Sequence, residues 1–144
     1  MTFPLNIAIG SSIGLDAGLV LTASLNKKHT LGGMRTIATA SQLEHLKAGP
    51  ALLVLFGGAH CGVCQVIKPR IESLMAQHFP EIVLAYVDCE ERPGICAQHS
   101  VFTLPVVKLF VEGQVCLEMA RRFSLQELVS QVDRIYRLWQ DSKN

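Results

Sequence analysis

The run Ala51-Leu-Leu-Val-Leu-Phe-Gly57 is apolar throughout, breaks at Gly57-Gly58, and leads directly into Cys61-Gly-Val-Cys64. A short continuous apolar run bounded by turn residues reads as a strand buried on both faces, hence as the middle of a sheet covered by helices on either side. No other stretch constrains the chain as strongly, because it also places both cysteines at the junction between a central strand and the element that follows. From the residues alone the pair has three possible uses: exchanging electrons, forming half of a metal site, or filling space.

The rest of the chain supplies the layers. Arg35-Thr-Ile-Ala-Thr39 is a short strand candidate, and Ser41 to Glu44 has capping-box spacing that opens a short helix ending at Gly49-Pro50. A longer helix is expected from Gly62 to His78, with Ile67, Ile71, Leu74, Met75 and His78 on one face and Pro69 in its interior, where a kink is predicted. Glu81 to Asp88 is a second buried strand, and Glu91 to His99 a short helix interrupted near its start by Pro93-Gly94. Pro105 to Ala120 reads as two strands joined at Glu112-Gly113. Ser124 and Glu127 then cap a helix whose apolar positions, Leu125, Leu128, Val129, Val132, Ile135, Tyr136 and Trp139, repeat at helical spacing. The order β-α-β-α-β-α-β-β-α implies an α/β fold: a parallel core extended by an antiparallel hairpin, giving a central mixed β-sheet with helices on both faces.

With 144 residues and 49% apolar content the chain suits one folded domain, placed at 34–144. Thirteen Lys and Arg against 12 Asp and Glu give no electrostatic reason to expect nucleic acid or an anionic membrane as partner. Five cysteines, an odd number at irregular positions, fit a reducing compartment, so the cytoplasm is expected. Residues 1–33 read as a mobile or loosely packed extension, or as a stretch before a true start at Met34. Leu5 to Leu25 has the length of a membrane span but carries Asp16 near its middle and several glycines and serines. It also lacks the basic flank of a signal peptide, so anchoring or export through it is the alternative.

A helix N-terminus presents unpaired N–H groups and partial positive charge, which favour a thiolate on the first cysteine. That makes Cys61 the candidate nucleophile: lowering a thiol pKa from about 8.5 to about 7 raises its thiolate fraction at neutral pH from a few per cent to roughly half. Cys64, one turn on, is placed to resolve a mixed disulfide formed at Cys61. His60, if protonated, favours the thiolate further; if neutral it can shuttle a proton, and as an exposed loop residue it does neither. A zinc site needs two more ligands, and His29, His45, His78 and His99 are single and scattered. Cys89 and Cys116, in or beside apolar strands, are expected to act as small buried hydrophobes. Cys96, in a short helix, is the candidate for an exposed cysteine that forms a regulatory disulfide.

Together, the strand Leu52–Phe56, His60-Cys-Gly-Val-Cys-Gln65, Pro69 five residues after Cys64, Thr103-Leu-Pro-Val106 and the glycine of Val111-Glu-Gly-Gln-Val115 resemble the thioredoxin family, over about residues 34–141. The resemblance implies a thiol–disulfide oxidoreductase acting on disulfide-containing client proteins. A thioredoxin-reductase-like or other dithiol partner would recycle it, with no cofactor beyond the Cys61–Cys64 couple, no metal, and a monomeric chain. It also implies a cis bond at Leu104-Pro105 facing Cys61, with Leu104, Pro105, Gly62, Val63 and Arg121 at the substrate groove and Arg122 beside them. The departures are specific: His60 replaces a tryptophan, Val63 a proline, Gln65 a lysine, and Leu55 the buried aspartate thought to help deprotonate the second cysteine. Asp88 and Glu90 are the nearest substitutes for that base. The missing aspartate, and Arg121 where the family carries a substrate-loop glycine, favour a second function, a binding, chaperone or assembly module of the same fold with a marginal redox pair; the intact cysteine pair argues against it.

Overall fold

A computed structural model describes residues 33–143. The readings of residues 1–32, including the apolar stretch Leu5 to Leu25, lie outside the described residues. The strands are β1 (Arg35–Thr36), β2 (Ala51–Gly57), β3 (Val83–Asp88), β4 (Val106–Val111) and β5 (Gln114–Ala120). The helices are α1 (Ala40–Lys47), α2 (Gly62–His78), α3 (Pro93–Gln98) and α4 (Leu125–Ser142). β2 is buried at every position and occupies the middle of a five-stranded sheet of order β1-β3-β2-β4-β5.

Successive β2 side chains point into two different cores, as the period of a strand requires. Leu53 and Leu55 meet Ile71 and Met75 of α2 and Leu128, Val132 and Trp139 of α4. Leu52, Val54 and Phe56 meet Leu43 of α1 and Ile95 of α3 on the other face. Each fully buried Leu or Phe contributes roughly 1.5–3 kcal/mol of transfer free energy, and β2 alone supplies several.

β1 and β2 both run parallel to β3, whereas β4 is antiparallel to β2 and β5 to β4. Gly57 is paired with Asp88, Phe56 with Val106, and Val106 with Ala120. The ends of β2, β3 and β5 and the start of β4 therefore share one end of the sheet, which gathers four connecting segments in one place. At the opposite end β4 and β5 turn through Glu112 and Gly113, both at positive φ, as a two-residue hairpin loop requires.

Local details depart from the sequence expectations for identifiable reasons. α1 starts two residues earlier than expected: Thr39, extended at φ −135°, is the cap, and its hydroxyl accepts from Gln42 N at 3.1 Å, so Ser41 falls inside the helix. α3 begins at Pro93, not Glu91, because proline's missing N–H and fixed φ suit the first helical position. α2 continues through Pro69 as one helix. Ser124 caps α4 as expected, accepting from Glu127 N at 2.9 Å. Trp139 of α4 is buried near the hairpin end, where it lines a cavity with Val111 and Glu112; Tyr136 packs edge-on against it, and Lys143 Nζ lies 3.8 Å from its ring centroid.

Candidate active site

Cys61 is the N-cap of α2, so its sulfur lies where the helix has unpaired donors: Cys64 N donates to Cys61 Sγ at 3.2 Å. The two cysteines are joined by a disulfide, with their Cα atoms 5.2 Å apart. Their environments differ. Cys61 is half-buried, while Cys64 has no exposed surface. An incoming group therefore reaches Cys61 and not Cys64, and once the disulfide is reduced the Cys64 amide is placed to stabilise a negative sulfur at Cys61. Gly62 and Val63, between them, are exposed.

The inner side of Cys64 is apolar. A Cβ added at Gly57 would lie 3.0 Å from Cys64 Cβ, 3.1 Å from Cys64 Sγ and 3.2 Å from Tyr86 Cε1, so glycine is what lets strand, sulfur and ring approach one another. Leu55, two residues back on the same face, is fully buried. Gly57→Ala is accordingly expected to cost about 1–3 kcal/mol by overpacking and to displace Cys64, slowing its closure onto Cys61; urea unfolding together with the rate of disulfide closure checks both effects. Tyr86 was not singled out from sequence. Burial, followed by the nearby Asp88 charge, raises its phenol above the ordinary value.

His60 is held at two points by one side chain from the segment after β3. Its Nδ1 lies 2.6 Å from Glu90 Oε1, and its backbone N donates to Glu90 Oε2 at 3.0 Å. The hydrogen bond to Glu90, then the Glu90 charge, raises the imidazole above 6.5, and the bond from His60 holds the Glu90 carboxyl below 4.5. The charged pair is therefore complete between those values. It is lost as pH falls through the lowered Glu90 value or rises through the raised His60 value.

Of the two carboxylates considered for Cys64, Glu90 is thus committed to His60. Asp88 accepts from the backbone N–H groups of Glu90 and Glu91 through Oδ1, at 2.9 and 3.2 Å, and is paired in register with Gly57 beside Cys64.

The Leu104-Pro105 bond is cis. Pro105 precedes β4 at the same end of the sheet as the cysteines, and its carbonyl accepts from Arg121 N at 2.8 Å. Arg121 takes φ 63°, where glycine is at ease and another residue costs about 1 kcal/mol, and both Arg121 and Arg122 are exposed.

Three expectations about the other cysteines are corrected. Cys89 is not a free buried hydrophobe but is disulfide-bonded to Cys96, and Cys96 is buried, not exposed. Their positions at the end of β3 and inside α3 bring the Cα atoms to 5.7 Å, within bridging range. Cys116 is exposed because β5 is an edge strand with most of its side chains outside the core. Among the described residues no group of three or more His, Cys, Asp or Glu side chains comes together as a metal site, and no helix is long and apolar enough to cross a membrane.

Comparison with known proteins agrees with this geometry. The family model for thioredoxin matches residues 35–134. The chain is 32% identical over 80 residues to the thioredoxin-like protein YdfQ of Bacillus subtilis, covering 56% of this chain and 70% of that protein. The structure of Fasciola hepatica thioredoxin superposes with a TM-score of 0.60 at 30% identity, covering 68% of this chain and 98% of the other. Thioredoxin 1 of Thermosipho africanus superposes with a TM-score of 0.56 at 29% identity, over 60% and 96% of the two chains.

Proposed function

The chain belongs to the thioredoxin family and is a thiol–disulfide oxidoreductase; on that premise we propose that Cys61 is the attacking sulfur, Cys64 the resolving one, and protein disulfides the substrate. The observation that carries this assignment is the unequal burial of the two sulfurs at the start of α2. The Cys61 thiolate bonds to one client sulfur and expels the other. Cys64, on losing its proton, then attacks Cys61, expels the reduced client and closes the internal disulfide, so that two electrons pass to the client. A dithiol partner of the thioredoxin-reductase kind returns them. In this reading Leu104, Pro105, Gly62, Val63 and Arg121 line the path of an extended client segment. No metal or organic cofactor takes part and the chain acts as a monomer; the odd cysteine count favours the cytoplasm as its compartment, and the Cys89–Cys96 disulfide favours an oxidising one.

Asp88 is proposed as the group that takes the Cys64 proton, since Glu90 is occupied by His60. Asp88→Asn retains an oxygen for the two backbone N–H groups but removes the base. It is expected to slow closure onto Cys61 by about tenfold or more, read by quenched mass spectrometry of the mixed disulfide; an unchanged closure rate rules Asp88 out.

Insulin tests the function as a whole. Catalytic amounts of the chain should accelerate insulin-disulfide reduction by dithiothreitol, and a rate equal to that of dithiothreitol alone overturns the proposed substrate class. The apolar surroundings of Cys64 favour a second reading, a binding or assembly module. That reading predicts sluggish exchange together with tight binding to a single partner.

A further inference from the structure

The exchange steps above leave one ordered polar pair beside the nucleophile without a role. A carboxylate only accepts hydrogen bonds, so the 2.6 Å contact between His60 Nδ1 and Glu90 Oε1 fixes the imidazole proton on Nδ1. With Nδ1 so engaged, Nε2 is left as the ring's remaining polar atom, on a side chain that is 92% exposed and adjoins Cys61. Glu90 is itself anchored. Its side chain lies across Gly58, where an added Cβ would fall 2.5 Å from Oε2. On one side its backbone N donates to Asp88 Oδ1, and the neighbouring Cys89 donates to Gly57 O at 2.7 Å and is tied by its disulfide to Cys96 in α3.

We propose that His60 is a general acid for the client's leaving sulfur and that Glu90 is the residue that positions it. The inference rests on the oxidoreductase reading of Cys61. As the Cys61 thiolate bonds to the nearer client sulfur, the client S–S bond breaks and its electron pair goes to the farther sulfur. The Nε2 proton passes to that sulfur, leaving a mixed disulfide, a neutral client thiol and a neutral imidazole still bonded through Nδ1 to Glu90. Solvent restores the Nε2 proton, as the exposure of the ring allows. The hydrogen bond to Glu90, then the Glu90 charge, holds the imidazole pKa above its ordinary value, which favours the charged acid.

An acid assists only a leaving group that needs the proton, and this property makes the role separable from any effect on Cys61. The expelled sulfur of oxidised glutathione belongs to an alkyl thiol with a pKa near about 8.5, whereas that of dithiobis-nitrobenzoate is an acidic aromatic thiol that departs unaided. Both probes are dianions, so a change of protein charge acts on them alike. The full chain, pre-reduced, is mixed with each probe in stopped flow at neutral pH, for the wild type, His60→Gln, Glu90→Gln and the double variant, with thermal unfolding to confirm that each is folded. The two single variants are expected to slow the glutathione reaction about tenfold more than the aromatic reaction, since any loss of thiolate at Cys61 slows both alike, and the double variant is expected to be no slower than His60→Gln. Equal slowing with both probes, no slowing with either, or multiplicative slowing in the double variant overturns the proposal. A wild type that reacts with both probes yet fails to reduce insulin overturns the client assignment alone.

Discussion

Cys61→Ser is expected to abolish insulin-disulfide reduction, by at least about a thousandfold, because a serine hydroxyl supplies no nucleophile equivalent to a thiolate at neutral pH. Cys64→Ser is expected to behave differently. The first attack at Cys61 survives, since the half-buried sulfur and the amide that donates to it are untouched. Release fails, so a covalent chain–client adduct accumulates and disappears on adding excess dithiol. Non-reducing electrophoresis and mass spectrometry distinguish the two variants directly. Activity retained by Cys61→Ser, or a Cys64→Ser variant that forms no adduct, assigns the chemistry wrongly. Because Cys64 has no exposed surface, its replacement also removes a small packed group, and the adduct should be measured well below the variant's unfolding temperature.

Leu55→Asp is expected to have the largest effect on stability. Leu55 has no exposed surface and packs in the core formed with Ile71 and Met75, on the face of β2 that meets Cys64 through Gly57. The change removes a buried Leu and installs a carboxyl among apolar groups, costing at least about 3 kcal/mol at pH 7. Burial raises the folded-state pKa of such a carboxyl above its unfolded value of about 3.9. The acid is neutral and tolerated below both values, and stability is lost as pH rises from the unfolded value through the folded one. Urea midpoints at acid and neutral pH should therefore diverge more for this variant than for the wild type. The same carboxylate would face the Cys64 side of the site, so resolution of the mixed disulfide should accelerate even as the fold weakens. A midpoint at pH 7 equal to that of the wild type would mean that water reaches this position.

The architecture was legible where a residue pattern had one physical solution. Ala51–Gly57 has no polar face, so it had to be central, and Glu112-Gly113 between two apolar runs had to turn. It was less legible where two residues competed for one role. Thr39 and Ser41 each stand three residues before a Gln or Glu, and the choice of Thr39 as cap follows from where the chain leaves β1, which short-range pattern does not contain. In the site, Cys61 and Cys64 stood out by their spacing after the apolar run, and the cis bond at Leu104-Pro105 was implied by the resemblance to the thioredoxin family. The partnership of His60 with Glu90 was not, because it joins residues 30 apart that register alone brings together. The Cys89–Cys96 bond is hidden for a similar reason: apolar neighbours in sequence point to burial of Cys89, and nothing in them shows that the turn into α3 brings Cys96 within bridging range. The exposure of Cys116 does not show in the sequence because an apolar strand looks the same in the interior and at the edge, and β5 lies at the edge.

The position of Trp139 has a practical consequence for spectroscopy. The chain's single tryptophan is packed against Tyr136 and Lys143 near the β4–β5 turn, at the opposite end of the sheet from Cys61. Its emission is thus a reporter of how α4 seats on the sheet, and a change in fluorescence on adding reductant would signal loosening of that helix and not the oxidation state of the Cys61–Cys64 pair.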